Sequence, residues 1–256
     1  MQKIGYILGL MFMLWGCGGN SGCQDCCYPL GVLLVDAETM VFDSVALGHR
    51  SELTLQVYNP TGKAVMLEES GRLPGVRVYL VGGDTTGLGI GGVEIAAGAR
   101  EKLGVVFCPE GDEMLGNFWG QLRFFVDGEG GFGEGIYVKA HVRDAFEGED
   151  SGNCPKLVME EWEMDFGRVA TGKQVTAKFR LSNEGNRDLL LRKVETSCGC
   201  TVVETGKRMV RPGETTEVMV VLDTRDLSGY QRKRVTLYTN DPEAATVVLV
   251  LRGTVE

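Results

Sequence analysis

From Val175 onward the chain alternates. Val175, Ala177, Phe179 and Leu181 are apolar, and Thr176, Lys178, Arg180 and Ser182 between them are polar. A period of two places one set on each face of a half-buried strand. Asn183-Glu184-Gly185-Asn186 follows as a turn, because Asn and Gly tolerate positive φ. A strand restarts from Leu189 to Val194, and Arg211-Pro212-Gly213-Glu214 is the next turn. Val218 to Leu222 resumes the pattern, followed by Val235, Leu237 and Thr239 and the turn Asn240-Asp241-Pro242-Glu243. Ala245 to Leu251 is apolar without a break, which predicts a strand covered on both faces. Short strands with turn signals about every ten residues predict an antiparallel sandwich. No segment sustains a helical period.

The same pattern occurs earlier in the chain. Subtracting 124 carries Phe166, Val169, Gly172, Phe179, Leu181, Asn183 and Leu189 onto Phe42, Val45, Gly48, Leu55, Val57, Asn59 and Val65. Ala97-Gly98 then stands 115 residues before Pro212-Gly213, so the first copy gains nine residues at the glycine-rich run 82–92. Leu122, Phe124 and Val126 precede Val235, Leu237 and Thr239 by 113, and Val142 precedes Val255 by the same amount. Self-similarity at domain spacing means a duplicated module. The expected fold class is all-β: two tandem sandwiches, at 30–144 and 155–256, joined by the acidic linker 145–154.

The first residues are read as a targeting signal. Lys3 gives a positive start and Ile4 to Trp15 an apolar run, shorter than the roughly 20 residues a spanning helix needs. Leu14-Trp15-Gly16-Cys17 resembles the bacterial lipobox. That resemblance implies that residues 1–16 are removed and that Cys17 carries acyl chains, palmitate among them, which hold the protein to a membrane. The competing reading is an ordinary signal peptide cut nearby. Residues 17–29 are expected to be a flexible tether. Net charge is −9, which argues against nucleic acid and against a basic patch on anionic lipid. The expected address is the cell envelope of a Gram-negative bacterium.

Eight cysteines in an exported chain point to an oxidising compartment. With Cys17 assigned to lipid, seven remain, an odd number. Cys27-Tyr28-Pro29-Leu30 and Cys154-Pro155-Lys156-Leu157 each precede the first strand of a copy, so Cys27 and Cys154 are read as equivalent structural cysteines, with Cys108 as a third. Cys23, Cys26 and Cys27 together offer a weak metal-cluster reading.

Ser197-Cys198-Gly199-Cys200-Thr201 is the sharpest motif. With Asp165-Phe166-Gly167, Asn183-Glu184-Gly185, Pro212-Gly213-Glu214 and Asn240-Asp241-Pro242, it resembles a bacterial family of unknown function marked by this motif and common in exported lipoproteins. That family is related to the ASH and MSP class of immunoglobulin-like domains. The resemblance covers about residues 156–256 and implies an immunoglobulin-like sandwich, but no activity. The first copy is a divergent relative: an offset of 124 sets Pro74-Gly75-Val76 against Cys198-Gly199-Cys200. Chemically, Cys198 and Cys200 could form a strained, reducible disulfide, could give two soft ligands to a metal, or could pack on one face of a strand.

Other signals are weaker. Gly87-Gly89-Gly92 and Gly128-Gly130-Gly133 fit a nucleotide-loop spacing, but neither lies between a strand and a helix, so both are read as hairpin loops. His49 and His141 have no nucleophile motif nearby. The acidic runs 147–150 and 160–163 lack calcium-loop spacing. Phe118, Trp119 and Trp162 are candidate contact aromatics or core. The combined expectation is a module that binds or scaffolds a protein partner, is not an enzyme, and takes no cofactor. The alternative is a thiol redox or metal-handling protein using Cys198 and Cys200.

Overall fold

The computed structural model describes residues 26, 28–83, 92–127, 129–146, 153–199 and 201–256, the side chains of 129–134 and 202 excepted. The first copy holds β1 (Tyr28–Leu30), β2 (Leu33–Val35), β3 (Thr39–Ala46), β4 (Ser51–Tyr58) and β5 (Val65–Glu69). It continues with β6 (Val76–Leu80), β7 (Val93–Ile95), β8 (Arg100–Phe107), β9 (Gly116–Val126) and β10 (Glu129–Arg143). The second holds β11 (Leu157–Met159), β12 (Glu163–Val169), β13 (Gln174–Asn183), β14 (Leu189–Thr196) and β15 (Thr201–Thr205). It ends with β16 (Met209–Val210), β17 (Thr215–Asp223), β18 (Gly229–Thr239) and β19 (Thr246–Val255). The only helical turn among the described residues is a 3-10 turn, Asp112–Met114.

Each copy is a two-sheet sandwich with the same strand order, apart from β1, which adds a fifth strand to one edge of the first copy. The first pairs β1-β2-β4-β8-β6 and β3-β10-β9-β5-β7; the second pairs β11-β13-β17-β15 and β12-β19-β18-β14-β16. The fold is therefore all-β and immunoglobulin-like in both copies. All pairings are antiparallel except β3 with β10 and β12 with β19. A period-two pattern carries no strand direction, and the rest of each sandwich supplies the long crossover a parallel pair needs.

The inward set is the one the alternation marks. Leu55 and Val57 in the first core correspond to Phe179 and Leu181 in the second, and all four are buried. Ala245 to Leu251 departs from expectation. β19 alternates, with Thr246 and Val248 exposed, and only Leu249, Val250 and Leu251 are buried in succession. One face of this sheet stays open to solvent, as antiparallel sheets allow.

Asn59 and Asn183 are both fully buried, and they explain the turns better than positive φ does. Neither residue has positive φ. Asn59 Nδ2 donates to Lys63 O and Ile95 O at 2.8 Å, and Asn183 Nδ2 to Arg187 O at 2.7 Å and Val210 O at 2.8 Å. Their Oδ1 atoms accept the Thr61 and Gly185 N–H groups two residues on. Each side chain thus replaces a backbone partner within its own turn. Glycine is required where the sheets turn back: Gly98 and Gly213 both have positive φ, and each donates its N–H to the carbonyl of its copy's buried Asn.

Strand register corrects the offset between copies. Leu67 pairs with Val126 and Leu191 with Thr239, which keeps 124, but Glu69 pairs with Phe124 and Val194 with Leu237, which gives 125. The extra residue is a bulge between Leu191 and Lys193, at Arg192. Leu73-Pro74-Gly75, not Pro74-Gly75-Val76, therefore match Cys198-Gly199-Cys200. The later insertion is ten residues rather than nine, since Leu80 matches Thr205 at 125 and Ile95 matches Val210 at 115. Val35 matches Met159 at 124, but β1, which precedes β2, has no counterpart among the described strands of the second copy, and Cys27 lies outside the described residues.

Candidate functional site

The motifs that mark the second copy are mostly local scaffolding. Asp165 Oδ1 accepts the Gly167 N–H at 2.8 Å where β12 shifts register. Asp241, almost fully buried, accepts the Leu157 N–H at 2.7 Å and ties β11 to the β18–β19 turn. Asn240 Oδ1 accepts the Leu190 N–H, and Glu214 accepts the Arg211 N–H in its own turn, which with Lys207 holds its carboxyl below the usual range. These are turn geometry and need no ligand.

Ser197-Cys198-Gly199 is a turn, not strand, and it leads into edge strand β15. Ser197 pins it to β18: its N–H donates to Arg234 O, and its Oγ accepts the Arg234 N–H at 3.0 Å. Cys198 is disulfide-bonded, half-buried, with Sγ 3.4 Å from Thr201 Oγ1. Cys200 lies outside the described residues, as do Cys17, Cys23 and Cys27 and the acidic run 147–150. Cys108 and Cys154 are free thiols. Cys108 sits at the end of β8 and donates to Gly48 O at 3.7 Å.

The first copy has a cleft at the corresponding place. It measures about 980 Å³ and is bounded by the Arg72–Gly75 segment, strand β6, Cys108 and the 3-10 turn. Leu73, Pro74, Val106 and Met114 give it an apolar floor; Arg72, Arg77, Glu69 and Glu113 give it charged walls. Burial pushes the Glu69 carboxyl up, against the pull of Arg72. At the rim Tyr79 donates its hydroxyl to Glu52, which also pairs with Arg50 at 2.6 Å; both contacts hold the Glu52 carboxyl below its ordinary value.

β6 is an edge strand, and its hydrogen bonding shows which groups are open. Cys108 donates to Gly75 O and Val81 to Lys102 O, so residues 75, 77, 79 and 81 bond inward to β8. Antiparallel pairing then aims the N–H and C=O of Val78 and the N–H of Leu80 outward, beside the cleft. No strand among the described residues pairs with that side.

The two copies meet at a packed junction. Arg192, re-aimed by its bulge, places Nε 2.8 Å from Asp144 Oδ2 and Nη1 2.9 Å from Asp112 Oδ1. Asp144 is only 6% exposed. The Nε contact is charge on charge rather than a directed hydrogen bond. Lys193 Nζ donates to Leu115 O at 2.6 Å and lies 5.5 Å from the Tyr238 ring centre. Tyr238 joins the first copy's core and donates to Glu195 at 2.8 Å; burial first, then Glu195, pushes its pKa to about 12. Gly116, at φ 93, faces the Tyr238 hydroxyl so closely that an added Cβ would collide with it.

Among the described residues there is no cluster of three or more potential metal ligands. Among the described residues His141 contacts Asn117, at 3.1 Å. The candidate aromatics divide by strand face: Phe118 turns in against Phe107, whereas Trp119 is 64% exposed, and Trp162 is exposed as well. The open edge, the cleft and the junction were not found from sequence. The first two need the fold, and the third is signalled only by a one-residue slip in the repeat.

Residues 157–255 match a family described as a protein of unknown function (DUF1573), which covers nearly the whole second copy. No curated protein matches the chain. A protein of unknown function from Porphyromonas gingivalis W83 aligns at 16% identity over 88% of this chain and 100% of its own, with a TM-score of 0.54, and shares the fold. The ASH/PapD-like domain 7 of human CEP192 (12% identity, 43% of this chain, 92% of its own, TM-score 0.32) and the YadV chaperone (10%, 87%, 100%, 0.31) are more distant.

Proposed function

We propose that this chain is a non-catalytic protein-binding module of the Gram-negative cell envelope, held to the membrane by acyl chains on Cys17. The observation that carries it is the open edge of β6 beside the cleft. An extended partner segment can pair with Val78 and Leu80 while its side chains enter the cleft, which is how edge strands accept peptides. The lipobox resemblance at Leu14-Trp15-Gly16-Cys17 supports the anchor, and the exported cysteines support the address. The test is capture from native envelope with the acylated protein, repeated with Leu80→Pro. That proline removes an outward N–H and leaves the strand's bonds to β8, and because the Leu80 side chain packs against the core, Leu80→Ala is run beside it and should keep capture. Capture that disappears with Leu80→Pro and persists with Arg232→Ala on the second copy supports the reading; capture indifferent to Leu80→Pro sinks it. Release of the Cys17→Ser variant from the membrane fraction tests the anchor directly.

A second reading is favoured by the bonded state of Cys198 in a half-buried turn. A disulfide in a tight turn could be reduced and re-formed in thiol exchange. A measured potential below about −300 mV would mark it as structural and end that reading.

A further inference from the structure

The outer face of the β3-β10-β9 sheet carries an aromatic platform that none of the preceding structure uses. Trp119 on β9 stacks on Tyr137 of β10, with ring centres 5.2 Å apart and planes 19° from parallel. Its outer surface is open to solvent. Strand register sets Val41, Lys139 and Trp119 in one row across the sheet, and Ser44, His141 and Asn117 in the next. The bulge between Ala140 and His141 brings Asp43 to the same place, and a shallow hollow of about 380 Å³ lies there.

The second copy is an internal comparison. The row equivalent to Val41, Lys139 and Trp119 is Asp165, Arg252 and Arg232. There Arg252 Nε pairs with Glu163 at 2.7 Å and Asp165 at 3.6 Å, an ordinary solvated, ion-paired face. One copy of the duplicated sheet therefore keeps charges on this face, and the other sets an aromatic pair among hydrogen-bonding side chains.

The surroundings of Trp119 decide between ligand classes. A protein-interface core is apolar and depleted of charge. In these two rows beside Trp119, Val41 is the one aliphatic residue, and Asn117, Lys139, His141, Ser44 and the bulged Asp43 all offer donors or acceptors. A pyranose ring has an apolar C–H face, which suits one open indole surface, and a rim of hydroxyls, which suits those side chains. The hollow is too shallow to enclose a small molecule, so it suits units within an extended chain. We propose that this face binds a glycan chain, with Trp119 stacking one sugar ring and Asn117, Asp43 and Lys139 bonding its hydroxyls.

Affinity electrophoresis of the full chain in gels containing laminarin, xylan, dextran or soluble chitin oligosaccharide tests this. At least one glycan should retard the protein, and Trp119→Ala should weaken that association about tenfold, the scale of one lost aromatic contact. Asn117→Ala should weaken it less, and Trp162→Ala should leave it unchanged. Melting of Trp119→Ala should match wild type, because most of the ring is exposed, so a lost interaction is not lost folding. No retardation by any of the four glycans overturns the proposal, as does retardation that survives Trp119→Ala. A polypeptide whose binding requires Trp119, without glycan binding, overturns it equally.

Discussion

Arg192→Ala tests whether the two sandwiches are held as one unit. The residue is the one the bulge inserts in β14 between Leu191 and Lys193, and it contacts Asp144 and Asp112 of the first copy at 2.8 and 2.9 Å. Removing a partner from a fully buried pair costs about 3–5 kcal/mol. Here Arg192 is partly exposed, and Asp144 keeps the Ala145 N–H on its other oxygen, so about 2 kcal/mol is expected. Asp112 is more exposed, and Asp112→Ala should cost only about 0.5 kcal/mol. The assay is urea unfolding of wild type, Arg192→Ala, Asp144→Ala and the double variant. The cycle should show a coupling of about 1–2 kcal/mol, because once Arg192 is gone the carboxylate is already without its charge partner. Coupling within about 0.3 kcal/mol of zero would refute the junction, since distant independent sites add that well.

Asn59→Ala and Asn183→Ala should each lose about 3 kcal/mol of stability in urea titrations, because each strands buried carbonyls; a loss in one copy only would contradict their equivalence. Gly116→Ala should destabilise more than Gly229→Ala: both have positive φ, but only Gly116 faces Tyr238, while nothing lies within 4 Å of the Gly229 position. Tyr238 is raised in the folded state to about 12, so its contribution is full below the unfolded value of about 10 and is lost as pH rises from there to about 12. Tyr238→Phe should abolish the part of the alkaline loss seen by pH-dependent unfolding that exceeds that of the other tyrosines; an unchanged profile would contradict this.

The sandwich was legible in the sequence because burial imposes a period of two, and the buried positions recur in both copies. Leu55 with Phe179 and Phe124 with Leu237 are visible without coordinates for that reason. The parallel β3–β10 and β12–β19 pairs were not, since alternation is blind to direction. Asn59 and Asn183 announced turns, but their burial and four-way bonding appear only when the strands come together. The Arg192 bulge was hidden because a constant offset of 124 absorbs a single inserted residue until register exposes it. Trp119 and Phe118 are adjacent, so one of them had to face outward, yet the pattern alone did not say which. The cleft and the open edge belong to segments distant in sequence, and no local motif marks them.

The most direct test of the proposed partner binding at β6 is amide hydrogen exchange of the chain with and without a protein captured as described above. Val78 and Leu80 have outward N–H groups on β6, whereas Arg77 and Tyr79 already bond to β8. Slower exchange at Val78 and Leu80 on binding, with little change at Arg77 and Tyr79, is the predicted result. Unchanged exchange at Val78 and Leu80, with protection confined to other strands, would contradict it.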